Sequence, residues 1–292
     1  AYIDSVVIRD GEHGANILPH GNLNDHLGFD QAASWRWDQI LESADAHRLA
    51  LKLVVLEKQD GILGYIQPDG SIAAERDDAN FYGISGQDTK VRRLQEYYWR
   101  YLTARWGYST AVHSWELINE GDPFNGNHYE LANGFARTID AIDPNRHLVT
   151  TSFWHSFPVD EFWANREYPD IDYADFHAYV DTTWLTPEDF AEPALSAGCG
   201  LDLDCFKRAM TADSALYHLT HSAAVEAAAL SMPVIRGEGA LTVTGSQQVS
   251  DPDLMRDTAG VWLHKLLFAQ LAPGAVQELY WYPDEIQAND LY

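Results

Sequence analysis

Short, nearly continuous apolar runs alternate with longer amphipathic stretches along this chain. That alternation predicts a parallel α/β sheet or barrel, because each parallel strand must be followed by a crossover, usually a helix. Apolar runs at 6–8, 49–56, 112–119, 147–151, 173–179, 233–237 and 276–281 read as strands. Over 30–48, Ala33, Trp37, Ile40, Leu41 and Ala44 recur at helical spacing. Helices are likewise predicted over 90–105, 129–142, 214–230 and 254–271. Residues 57–88 and 181–206 read as long loops, and loops of that length in compact domains are usually functional.

A closed barrel of this kind needs eight strands, and seven are visible. The first opens within a few residues of Ala1, and the stretch after the last is too short for a covering helix. The expectation is one α/β domain over 1–292, a (β/α)8 TIM barrel. Strands two to eight would lie in this chain, with strand one and the last helix outside it in a longer protein.

Composition narrows the function. Acidic residues number 44 against 19 basic ones, a formal net charge of −25. Such a surface repels phosphate backbones and anionic membranes, which argues against nucleic-acid binding. No apolar run approaches the roughly 18–20 residues of a membrane span. Ten Trp and fifteen Tyr supply both core and flat faces on which sugar rings can stack. Cys199 and Cys205 lie close together without CxxC spacing, and the histidines form no zinc pattern. A small disulfide-closed loop is favoured over two free thiols and would suit an extracellular or cell-surface protein. No cofactor and no catalytic metal are expected: there is no HExxH, no strand-end His-x-His and no EF-hand loop.

Two segments put a carboxylate just past an apolar strand. They are Trp115 to Glu120 (WELINE) and Val234 to Gly239 (VIRGEG). Strand C-termini of a parallel barrel open on one face, so Glu120 and Glu238 would converge there. Retaining glycosidases use two carboxyls about 5–5.5 Å apart, one to protonate the leaving oxygen and one to attack the anomeric carbon. The plain alternative is a pair of ordinary strand-end glutamates. Glu116 and Arg236 share strand parity with these glutamates and are expected to pair inside the barrel. Trp154, past the 147–151 strand, is a candidate sugar platform. Glu57, past the 49–56 strand, faces either a distal subsite or solvent.

Asn119-Glu120 resembles the Asn-Glu that ends the fourth strand of clan A glycoside hydrolases, especially family-five-like glucanases and mannanases. Glu238 in RGEGA resembles that clan's strand-seven nucleophile. Phe176-His177-Ala178-Tyr179 resembles its strand-six His-x-Tyr. Residues 100–120 and 257–282 are similar to its helix-three to strand-four and helix-seven to strand-eight passages in a bacterial branch. The resemblance implies a retaining mechanism with Glu238 as nucleophile and Glu120 as acid/base. It implies that Arg9 and Tyr179 hold the nucleophile, that Asn119 hydrogen-bonds the sugar 2-OH, that His177 lines the pocket and that Trp281 floors it. Each role has a simpler competitor: a surface arginine, a core histidine, and a core tryptophan whose place Tyr280 or Tyr282 could take.

The substrate implied is a β-linked poly- or oligosaccharide, with additional domains in the same chain. The main rival is a catalytically inactive glycan-binding or structural cell-surface barrel, since fold alone never fixes function. A Schiff-base aldolase is disfavoured because Lys52 is the only lysine inside a predicted strand.

Overall fold

The computed structural model describes residues 29–57, 64–67, 71, 73–75, 77–82, 89–153, 158–177, 180–181, 232–239, 241–244, 249–250, 258–261, 263–264, 267–268, 276–280 and 287–290. The chain divides into two compact units, Ala1–Val149 and Thr150–Tyr292. Arg9, Trp154, Tyr179, Trp281, Cys199 and Cys205 lie outside the described residues, as do the predicted strand at 6–8 and the predicted helix at 214–230.

In the first unit, α1 (Gln31–His47) begins at Asp30, whose carboxylate accepts the Ala32 and Ala33 amides. Those are two of the donors a helix start leaves orphaned. The helix stops where Arg48 turns left-handed, at φ 57°, and its N–H reaches back to Ala44 and Asp45. Strand β1 (Leu51–Glu57) follows. The segment after it, expected to be loop, contains a short helix, α2 (Asp78–Tyr82). Phe81 and Tyr82 are almost completely buried there. Five residues are too few to display helical periodicity, which is why this turn was hidden in the sequence.

Helix α3 (Lys90–Trp106) is capped by Thr89, whose hydroxyl accepts the Arg92 amide at 3.1 Å. It buries Val91, Leu94, Trp99, Leu102 and Trp106, one stripe at three- and four-residue spacing. Arg105 forks onto Asp38 of α1 through Nε (3.0 Å) and Nη2 (2.6 Å), and Trp106 Nε1 donates to the same carboxylate at 2.8 Å. Together they hold the Asp38 carboxyl below the usual range, the Arg105 hydrogen bond contributing most.

Strand β2 (Val112–Asn119) coincides with its predicted bounds. It pairs in parallel with β1, with Leu53 opposite Trp115, Leu56 opposite Ile118 and Glu57 opposite Asn119. A 3-10 turn at Phe124–Gly126 leads into α4 (Asn127–Ile142), which buries Leu131, Ala132, Phe135, Ala136 and Ile139. Asp143 ends that helix before Pro144 and accepts from Trp115 Nε1 (3.2 Å) and His147 Nδ1 (2.6 Å). Strand β3 (Leu148–Thr150) completes the sheet order β1-β2-β3.

In the second unit, a π-helical turn, Val159–Trp163, buries Phe162 and Trp163, whose rings lie 5.4 and 5.6 Å from that of Phe153. Strand β4 (Ala174–His177) is followed by β5 (Val180–Asp181), β6 (Val234–Gly239), β7 (Leu241–Thr244), β8 (Val249–Ser250) and β9 (Val276–Tyr280). One sheet has the order β4-β6-β9, parallel throughout. A smaller sheet pairs β5 with β7 in parallel and β7 with β8 antiparallel. The sequence pattern predicts no hairpin at β7 and β8, because each strand is at most four residues long.

Candidate active site

The residues of the expected site that are described sit at the carboxyl ends of parallel strands, Glu57, Asn119 and Glu120 in the first unit and His177 and Glu238 in the second.

Glu120 follows the last residue of β2 and is half-buried, with φ at 51°. A left-handed glutamate costs about 1 kcal/mol or more against an ordinary conformation, so the surrounding structure must hold it. Gly121 comes next. A Cβ placed there would stand 2.7 Å from His128 Cε1 and 3.0 Å from its Nδ1. His128 is fully buried, and its Nδ1 donates to the Asp122 carbonyl at 3.0 Å. Burial pushes its pKa down to about 3, against the opposing pull of the Asp122 and Gly121 carbonyls, so the ring is neutral at ordinary pH.

Beside Glu120, Asn119 donates Nδ2 to Glu57 Oε2 at 2.9 Å. Glu57, which the sequence left between a distal subsite and solvent, therefore bears directly on the orientation of the Asn119 amide. Beneath them, Glu116 is 1% exposed and pairs with Lys52 Nζ at 3.0 Å. The expectation paired Glu116 with Arg236. The glutamate is buried as expected, and it has an ion pair within its own unit. Lys52 projects from the neighbouring strand, two positions before Val54, which lies opposite Glu116.

In the second unit, Glu238 lies inside β6 rather than just past it, and its side chain is largely buried. The register between β4 and β6 slips at one point. Phe176 faces Arg236 and His177 faces Glu238, so Gly237 is the extra residue. Bulges of this kind re-aim side chains beside active sites. Here the slip sets His177 Nδ1 3.6 Å from Glu238 Oε2, an electrostatic contact longer than a good hydrogen bond. His177 is therefore next to the candidate nucleophile. Arg236 is buried and donates Nε to the Glu238 carbonyl at 3.3 Å, bracing the backbone of its own strand.

Asp175 is a site residue that the sequence reading missed. It lies two positions before His177, with Oδ1 4.0 Å from His177 Nε2. A Cβ on Gly237 would fall against its carboxylate, 2.9 Å from Cγ. The period-two spacing of Asp175 and His177 on one strand was the available signal.

No family model matches the sequence, and no curated protein matches it. Solved structures do. The chain has the fold of (β/α)8-barrel glycoside hydrolases and spans about three-quarters of two such chains. One is the hyperthermostable endo-1,4-β-D-mannanase of Thermotoga petrophila RKU-1, at TM-score 0.53 and 15% identity, over 94% of this chain and 73% of that one. Another is PbGH5A, a glycoside hydrolase family 5 enzyme of Prevotella bryantii B14, at TM-score 0.55 and 15% identity, over 90% and 74%. A third is a GH5-4 broad-specificity endoglucanase from an uncultured bacterium, at TM-score 0.51 and 16% identity, over 88% and 70%.

Proposed function

We propose that this chain is the greater part of a retaining β-glycosidase acting on a β-linked poly- or oligosaccharide outside the cell. The observation that carries the proposal is the placement of two glutamates. Glu120 and Glu238 each sit at the carboxyl end of a parallel strand, in a chain with a glycoside hydrolase fold. That is where barrel enzymes keep their chemistry.

In this reading, Glu238 attacks the anomeric carbon as a carboxylate and forms the glycosyl-enzyme. Glu120 gives its proton to the departing oxygen, then takes one from the water that releases the sugar. His177, 3.6 Å from Glu238, supports the charge and aim of the nucleophile. Asn119 presents an amide to the sugar 2-OH, a contact that strengthens in the transition state. Arg9, Tyr179 and Trp281 are proposed to hold the nucleophile and floor the pocket, and Trp154 to stack a more distant sugar.

Incubation with an activated 2-deoxy-2-fluoro β-glycoside tests the proposal. The expected result is stoichiometric labelling of a peptide carrying Glu238, with Glu238→Ala neither labelled nor active. Hydrolysis that survives Glu238→Ala, or a label on another carboxylate, would overturn the assignment. Tight glycan binding by a wild-type chain with no hydrolysis would favour the inactive barrel.

A further inference from the structure

We propose that His128 is a positioning residue that clamps the turn after β2 and so holds Glu120 in its left-handed conformation. The inference rests on the acid/base reading of Glu120. The geometry itself does not depend on it.

Three observations converge on the turn. Glu120 has φ 51°, a conformation that a glutamate does not adopt unaided. Gly121 packs so closely on the His128 ring that any side chain there would collide with it. His128 itself is completely buried and donates Nδ1–H to the Asp122 carbonyl, two residues past Glu120. A neutral imidazole with its proton on Nδ1 suits this task, because the acceptor is a carbonyl that never titrates. Burial keeps the ring neutral across the pH range in which glycosidases work.

The ring is itself fixed from the other side. Tyr82 of α2 packs against His128 with centroids 5.5 Å apart, and Tyr82 stacks on Phe124 at 5.1 Å. Helix α2 thereby supports the turn that carries Glu120. His128 lies on α4, the helix that buries Phe135, so its ring is anchored to a rigid element rather than to a loop.

Loss of the clamp should mis-aim Glu120 without touching Glu238. The expected signature is a dependence on the leaving group, since a dinitrophenolate departs unprotonated and an alcohol does not. His128→Leu removes the donor, and His128→Asn keeps an amide nitrogen near the Nδ1 position. With His128→Leu, kcat/KM for an unactivated oligosaccharide should fall about tenfold or more, the scale of a misplaced catalytic group. For a 2,4-dinitrophenyl β-glycoside it should stay within about twofold, and His128→Asn should recover most of the loss. If His128→Leu does not fold, His128→Gln takes its place, its amide nitrogen displaced by one bond. Equal losses on both substrates, or none on either, would overturn the proposal.

A second measurement is independent of activity. A crystal structure of His128→Leu or His128→Gln should show Glu120 out of the left-handed region, and an unchanged turn would overturn the clamp. Should the wild-type chain hydrolyse no β-glycoside, the glycosidase reading fails, and the clamp stands or falls on the turn alone.

Discussion

Asn119 donates its side-chain amide to Glu57 across the β1–β2 pair at 2.9 Å, the two residues standing directly opposite in register. The bond spends one amide hydrogen and fixes which way the amide faces. At this exposed position such a bond contributes about 0.5–1.5 kcal/mol, enough to favour one of the two flips by up to about tenfold. Glu57→Ala should therefore lower kcat/KM by up to about tenfold through Asn119, although no substrate contact is removed. The check is a 2-deoxy substrate, which lacks the hydroxyl that Asn119 is proposed to bind. Glu57→Ala should cost that substrate little. An equal loss on both substrates would show that Glu57 acts by another route.

Lys52 and Glu116 form an ion pair in which the carboxylate is almost fully buried. Removing one partner of such a pair costs about 3–5 kcal/mol, because a desolvated charge loses its compensation. Lys52→Met should lower the urea midpoint accordingly. The double variant Lys52→Met with Glu116→Leu should be clearly more stable than Lys52→Met alone. If the second substitution makes matters worse, the ion pair is not what Lys52 contributes.

His128 also predicts a pH dependence of stability. Its folded pKa, about 3, lies below the ordinary 6.5, so the unfolded chain binds a proton that the folded chain refuses. The contribution is complete above pH 6.5 and is lost as pH falls from there toward 3. Each pH unit in that window should cost about 1 kcal/mol. Urea unfolding at pH 7 and pH 5 should differ by about 2 kcal/mol from this group, and the difference should vanish in His128→Asn. An identical slope in the variant would refute the assignment.

The proposed reaction uses two carboxylates and water and needs no metal. Activity of the purified enzyme should be unchanged after exhaustive dialysis against a chelator. A loss restored by adding back a divalent cation would contradict the two-glutamate mechanism.

The legible parts of this protein are those whose physics is local. Strand β2 lies where an apolar run predicts it, and α1 and α3 start beside the Asp30 and Thr89 caps. Glu120 and Glu238 stood out because each closes such a run. The rest depends on contacts that sequence spacing does not encode. Helix α2 is too short to carry a period, and its reason for folding is the burial of Phe81 and Tyr82. The meeting of His177 with Glu238 depends on a slip at Gly237, which a regular alternation cannot reveal. Lys52 answers Glu116 within the first unit because β1 and β2 are neighbours, a fact of register and not of parity. His128 precedes the helix predicted over 129–142, and only the turn it supports gives it a role.

The contact between Gly237 and Asp175 bears on how this protein can be altered. The space a methyl group would need at position 237 is already filled by the Asp175 carboxylate. A library that randomises position 237 alone should return glycine far more often than any other residue, whatever substrate is used for selection. Change becomes possible once Asp175 is shortened in the same clone. The dependence runs one way: Asp175 can be shortened beside glycine, whereas position 237 can enlarge only where the Asp175 carboxylate gives way.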